Sequence, residues 1–142
     1  GGLPPGAPAP RFSAGTPDGE QVSGAPGTAL LGFFSPTCDS CHDHLPHFAE
    51  LARRAAADGV ETYAVIDGDR VAAADLLARV PDGELRVLLA PRPDNPLLGG
   101  YLVDAYPTYT AVVDGVVDGS FHGVADLHRW LAARAGQGSH TP

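Results

Sequence analysis

Cys38 and Cys41 are the only two thiols in the 142-residue chain, and Asp39-Ser40 stand between them. Two intervening residues let a single turn bring both sulfurs to one partner. A thiolate at one position can then attack a disulfide, and the other can return to resolve the mixed disulfide without waiting for a second molecule. A bridge closing so short a loop would constrain little of the remaining chain, so the pair suits reactivity better than stapling. Where such a pair opens a helix, the unpaired amides and the positive end of the helix dipole stabilise the first thiolate more than the second. Cys38 is then the nucleophile. Asp39 carries two readings: as a helix cap it would steady the first turn, whereas facing the sulfur it would oppose ionisation.

Three histidines crowd the same stretch, His42, His44 and His47. Imidazole and thiolate both ligate zinc or copper, so Cys38 and Cys41 with His42, His44 or His47 make the alternative reading, a Cys/His metal-binding or copper-delivery module. Cys38-Asp39-Ser40-Cys41-His42 also matches the CxxCH haem-attachment pattern, with His42 as the iron ligand. The apolar run before the motif, the proline after it and the later hairpin argue against haem, and the absence of Met removes one common distal ligand. No cofactor follows from the sequence.

The elements that must position the thiols are legible from periodicity. Ala29-Leu30-Leu31-Gly32-Phe33-Phe34 is a continuous apolar run ended by Ser35-Pro36, the pattern of a strand buried on both faces. Leu45, Phe48, Leu51 and Ala52 then recur at helical spacing up to Asp58-Gly59, with Pro46 inside to shape the helix. A strand follows over Val60–Ile66, a helix from Asp69 or Arg70 to Val80 with Val71, Ala74, Leu77 and Ala78 inward, and a strand over Arg86–Ala90. The Pro-rich stretch Pro91–Pro96 and a short helix near Leu97–Tyr101 delay the next strand. Thr108–Val113 and Val116–Ser120, separated by Asp114-Gly115, read as a tight hairpin, and Val124, Leu127, Leu131 and Ala132 mark a closing helix between Gly123 and Gly136. Trp130, Phe33, Phe34, Phe48 and Phe121 read as packing groups. The chain divides into a Pro/Gly-rich lead-in over 1–27 with an edge hairpin around Phe12 and Val22, an α/β domain over 28–135, and a flexible tail over 136–142.

Nine basic against seventeen acidic residues give a formal charge of -8, which repels phosphate backbones and excludes nucleic acid as a partner. No apolar run is long enough to span a bilayer, and Gly1-Gly2-Leu3-Pro4-Pro5 has neither a basic segment nor an apolar signal core. A signal or membrane anchor missing from this chain is compatible with that start.

Several ordered features together resemble the thioredoxin superfamily, especially its extracytoplasmic TlpA- and ResA-like branch and the thioredoxin-like protein of methylamine dehydrogenase maturation. They are Gly6-Ala7-Pro8-Ala9-Pro10-Arg11-Phe12, Leu31-Gly32-Phe33-Phe34-Ser35-Pro36-Thr37-Cys38-Asp39-Ser40-Cys41, Leu45-Pro46, Tyr101-Leu102-Val103-Asp104-Ala105-Tyr106-Pro107-Thr108 and the Asp114-Gly115 hairpin. The resemblance implies a thioredoxin-like fold, a central mixed β-sheet flanked by helices with an N-terminal extension. It implies thiol-disulfide exchange with Cys38 attacking and Cys41 resolving. The direction stays open between reduction and oxidation of the target, with reduction favoured. The partners it implies are a protein substrate bearing a disulfide or dithiol and an upstream redox partner. The place it implies is outside the cytoplasm, in cytochrome c biogenesis or protein maturation. Pro107 matches the family's cis-proline beside the active site, and Tyr106, Thr37, Asp39 and Ser40 are the expected supporting and docking residues. Gly32 stands where thioredoxin has a buried acid, and Thr37 where an aromatic residue is usual.

Overall fold

A computed structural model describes residues 1–138. Its strands are β1 (Phe12–Gly15), β2 (Gln21–Gly24), β3 (Ala29–Phe34), β4 (Glu61–Asp67), β5 (Arg86–Ala90), β6 (Thr108–Val113) and β7 (Val116–Phe121). The helices are α1 (Asp39–Ala57), α2 (Ala74–Leu77), α3 (Pro96–Gly100) and α4 (Val124–Gly138). The strands form one mixed sheet in the order β2-β1-β5-β4-β3-β6-β7. β3, β4 and β5 run parallel, whereas β6 and β7 continue antiparallel and β1 and β2 add an antiparallel edge. This is the expected thioredoxin-like architecture with its N-terminal β1-β2 extension.

All six residues of β3 are buried, because each face of the strand meets its own apolar layer. Leu30 and Phe34 join Leu45, Phe48 and Leu51 of α1 and Leu127, Trp130 and Leu131 of α4. Ala29, Leu31 and Phe33 turn to the opposite layer, with Phe12, Tyr63, Leu97 and Tyr101. This two-sided burial accounts for the lack of alternation in the apolar run. The chain leaves β3 at the seam between the layers, and the two cysteines follow there. At the β6–β7 hairpin Asp114 and Gly115 take φ of 49° and 81°, as the turn requires.

The expected helix over Asp69–Val80 is reduced to α2, preceded by turns. Val71 is 86% exposed, and Ala74 and Ala78 are exposed too, so the inward face is instead Ala73 and Leu76 with Leu77 and Val80 half-buried. Asp69 Oδ1 accepts from Ala72 N at 2.9 Å and stabilises a local turn in place of a first helical turn. On α4, Ala132 is exposed and Trp130 packs inward, its Nε1 donating to Asp118 Oδ2 at 2.8 Å. The helix runs on through 136–138, and the rest of the expected tail, 139–142, lies outside the described residues.

Candidate active site

The Ser35-Pro36-Thr37 turn joins β3 to α1. Ser35 Oγ lies 3.0 Å from Thr37 Oγ1 and accepts from Thr37 N, and Cys38 N donates to Ser35 O at 3.1 Å. Cys38 then occupies the N-cap of α1 with extended backbone, φ -95° and ψ 110°, and no side chain caps the helix. Asp39 therefore does not act as the cap. It is the first helical residue, exposed, and supplies negative charge to the first turn.

The two thiols, both free, meet different surroundings. Cys38 is half-exposed, with Ser40 Oγ 3.3 Å from its Sγ and the Tyr106 carbonyl 3.5 Å away. Burial works against its ionisation, but hydrogen bonds from the Cys41 and Ser40 side chains and amides outweigh burial and lower its pKa below the ordinary 9.0. Cys41 is fully buried, and burial first, then its hydrogen bond to Cys38, pushes its pKa up to about 12. The pair is thus one accessible, acidified thiol over one buried, protonated thiol.

Beneath Cys41 the packing is aromatic. Phe34, Phe48 and Tyr109 contact one another with ring centroids 5.3 to 5.8 Å apart. Gly32 pairs with Tyr109 across β3 and β6, and a Cβ on Gly32 would lie 2.9 Å from Phe34 Cε2 and 3.0 Å from Phe48 Cε2. The rings occupy the volume that an acidic side chain at this position would need.

Pro46 lies within a continuous α1. Having no amide hydrogen, it leaves the His42 carbonyl without its helical donor, and Arg79 Nη1 donates there instead at 3.3 Å. The three histidines have separate surroundings. His42 Nε2 is 3.1 Å from the Pro36 carbonyl, His44 Nδ1 is 3.4 Å from the Tyr109 hydroxyl, and exposed His47 is 4.0 Å from Glu50. Among the described residues no three His, Cys, Asp or Glu side chains are placed to hold a metal ion, so the Cys/His metal reading is not favoured.

The Tyr106-Pro107 peptide is cis, and the loop that carries it lies against Cys38. Thr108 Oγ1 donates to Ala105 O at 2.6 Å, and His122 Nδ1 lies 3.2 Å from the Pro107 carbonyl. Thr37, Asp39 and Ser40 are exposed around the sulfur. Sequence reasoning missed Asp67, a buried carboxylate at the end of β4 that accepts from the Tyr106 hydroxyl at 2.7 Å and from Arg92 at 3.0 and 2.6 Å. An acid closing an apolar strand was its one local signal.

No protein-family model matches the sequence, and no curated protein matches it. Solved structures do. The chain is 26% identical to a candidate thiol:disulfide interchange protein DsbE from Chlorobium tepidum, covering 93% of this chain and 98% of that one with a TM-score of 0.76. It is 26% identical to MTB DsbF, solved in mixed oxidized and reduced forms, over 87% of this chain and 94% of that one, with a TM-score of 0.70. The exposed lipoprotein thioredoxin of Streptococcus pneumoniae strain TIGR4 shares the fold at 23% identity and a TM-score of 0.68, over 87% and 99% of the two chains. Among the described residues no helix is long and apolar enough to cross a membrane. The chain has the thioredoxin-like fold that it shares with these thiol:disulfide interchange proteins, and its cysteine pair sits at the β3–α1 junction of that fold.

Proposed function

We propose that the protein exchanges its Cys38-Cys41 dithiol for a disulfide in another protein, outside the cytoplasm, with reduction of the target as the working direction. The observation that carries this reading is the asymmetry of the pair, a half-exposed Cys38 with a lowered pKa above a buried Cys41 held protonated. The Cys38 thiolate attacks one sulfur of the target disulfide. The target S–S bond breaks, a mixed disulfide forms, and the leaving target thiolate takes a proton from solvent. Cys41 gives up its proton and attacks Cys38 Sγ, breaking the mixed disulfide and forming the Cys38–Cys41 bond while the second target thiolate leaves. Two electrons have passed to the target, and an upstream dithiol donor restores the reduced pair.

The Tyr106-Pro107 loop is the docking backbone in this scheme. Its carbonyl beside Cys38 Sγ is an acceptor for an extended target segment, and exposed Thr37, Asp39 and Ser40 form the other rim. Maturation of an exported protein is the proposed setting, of which cytochrome c biogenesis and methylamine dehydrogenase maturation are instances. A membrane anchor outside this chain would suit that role.

The test is a redox titration of the Cys38-Cys41 pair combined with assays of insulin reduction and of dithiol oxidation. Wild-type protein should reduce insulin, Cys38→Ala should lose activity by at least about a thousand-fold, and Cys41→Ala should accumulate the mixed disulfide through Cys38. Wild-type protein inert in both directions, or trapping through Cys41 in the Cys38→Ala variant, would overturn the reading.

A further inference from the structure

Asp67 sits 4% exposed beside the redox centre, where an ionised carboxylate needs partners. Two segments distant in sequence supply them. Asp67 pairs with Ala90 at the ends of the parallel strands β4 and β5, so the chain leaving β5 brings Arg92 back over the carboxylate. Arg92 Nε donates to Oδ1 at 3.0 Å and Nη2 to Oδ2 at 2.6 Å, a bidentate pair whose planar geometry fixes the carboxylate's orientation. Oδ2 also accepts from the Tyr106 hydroxyl at 2.7 Å.

Tyr106 precedes β6, and β3 lies between β6 and β4 in the sheet. To meet Asp67, its ring crosses the end of β3, and it packs against both apolar layers there. The same residue holds its main-chain carbonyl 3.5 Å from Cys38 Sγ. One side chain thus ties the loop beside the nucleophile to a charge anchored two strands away. On either side of Arg92 the surface is grooved. A cavity of about 330 Å³ borders Ser35–Thr37 and Asp67, and one of about 570 Å³ borders Tyr106 and Leu102. Leu102 is 55% exposed and holds φ of 52°, a conformation that costs a non-glycine residue energy.

We propose that Asp67 and Arg92 are positioning residues of the exchange reaction, acting through the Tyr106 hydroxyl to hold the Tyr106 carbonyl where an extended target segment docks beside Cys38. This rests on the exchange reading above and deepens it. Burial and the hydrogen bond to Asp67 raise the Tyr106 pKa, so the hydroxyl stays a donor across the physiological range. Neither Asp67 nor Arg92 hydrogen-bonds to Cys38, and the hydrogen bonds that favour its thiolate come from Ser40 and Cys41 rather than from Tyr106, so the effect of Asp67 and Arg92 falls on target binding rather than on the sulfur's reactivity.

The experiment measures insulin reduction by the full chain carrying Asp67→Asn, Arg92→Met, Tyr106→Phe and the Asp67→Asn/Tyr106→Phe pair. Each single variant should raise KM for insulin about ten-fold with kcat within about two-fold, and the double variant should be no worse than its worse single member. Arg92→Lys should recover part of the Arg92→Met loss. The Arg92 side chain is 72% exposed, so Arg92→Met keeps the test open should Asp67→Asn impair folding. Unchanged KM, a loss carried by kcat, or multiplying losses in the double variant would overturn the proposal. Wild-type protein that fails to reduce insulin would instead overturn the exchange reading on which it rests.

Discussion

Cys38 and Cys41 lie within one turn of chain, yet one faces a polar rim and the other an aromatic floor. Above, Cys38 Sγ meets the Ser40 hydroxyl and the Tyr106 carbonyl, side by side with exposed Thr37 and Asp39. Below, Cys41 is fully buried in the layer that holds Phe34, Phe48 and Tyr109. The rim offers donors to an anion, the Ser40 hydroxyl with the Ser40 and Cys41 amides, and the floor offers none that would offset the loss of water. The contrast teaches that sequence spacing alone does not divide the labour of a CxxC pair. In the proposed exchange, the division comes from which sulfur the sheet and helix leave at the surface.

The floor can be broken first. Gly32→Ala forces a Cβ against the Phe34 and Phe48 rings, and because these rings also pack on Tyr109 they have little room to yield. Chemical denaturation of the reduced protein should show a loss of about 1 to 3 kcal/mol. No loss would mean that the floor is loose. The rim responds more weakly. Ser40→Ala removes one hydrogen-bond donor from the Cys38 thiolate, so its pKa should rise and its alkylation at pH 7 should slow about three-fold. Faster alkylation would reverse the role assigned to Ser40.

The parts of this arrangement that are local in sequence were legible before the fold was known. Cys38 at a helix start, the buried run Ala29–Phe34 and the Asp114-Gly115 hairpin all follow from near-neighbour patterns. Pro107 was reached by resemblance, and the structure places its cis peptide beside Cys38. The failures have physical causes as well. Val71-Ala72-Ala73-Ala74 has no polar residue to define a helical face, so any phase could be drawn through it, and the inward positions proved to be Ala73 and Leu76. Asp67, Arg92 and the Arg79 bond to His42 depend on strand order and on side chains more than twenty residues apart, which no periodicity encodes. The aromatic floor was half visible. Phe34 and Phe48 read as core, but Tyr109 enters only through the β3–β6 register.

The most direct test of the central claim is the pH profile of alkylation of each cysteine in the reduced protein, followed residue by residue with a small iodoacetamide reagent and mass spectrometry. The sign follows from the two environments. The Cys38 thiolate is favoured in the fold, so its rate should rise with pH with a midpoint below the ordinary thiol value of 9.0. The Cys41 thiol is disfavoured as an anion, so it should stay unreactive until the pH approaches about 12. The same raised pKa predicts that Cys41's contribution to stability is present below about pH 9 and lost as the pH rises, because only the unfolded chain then releases its proton. A profile in which Cys38 modifies first at every pH below 9 is what this account predicts. Cys41 modifying first, or both thiols titrating together, would contradict it.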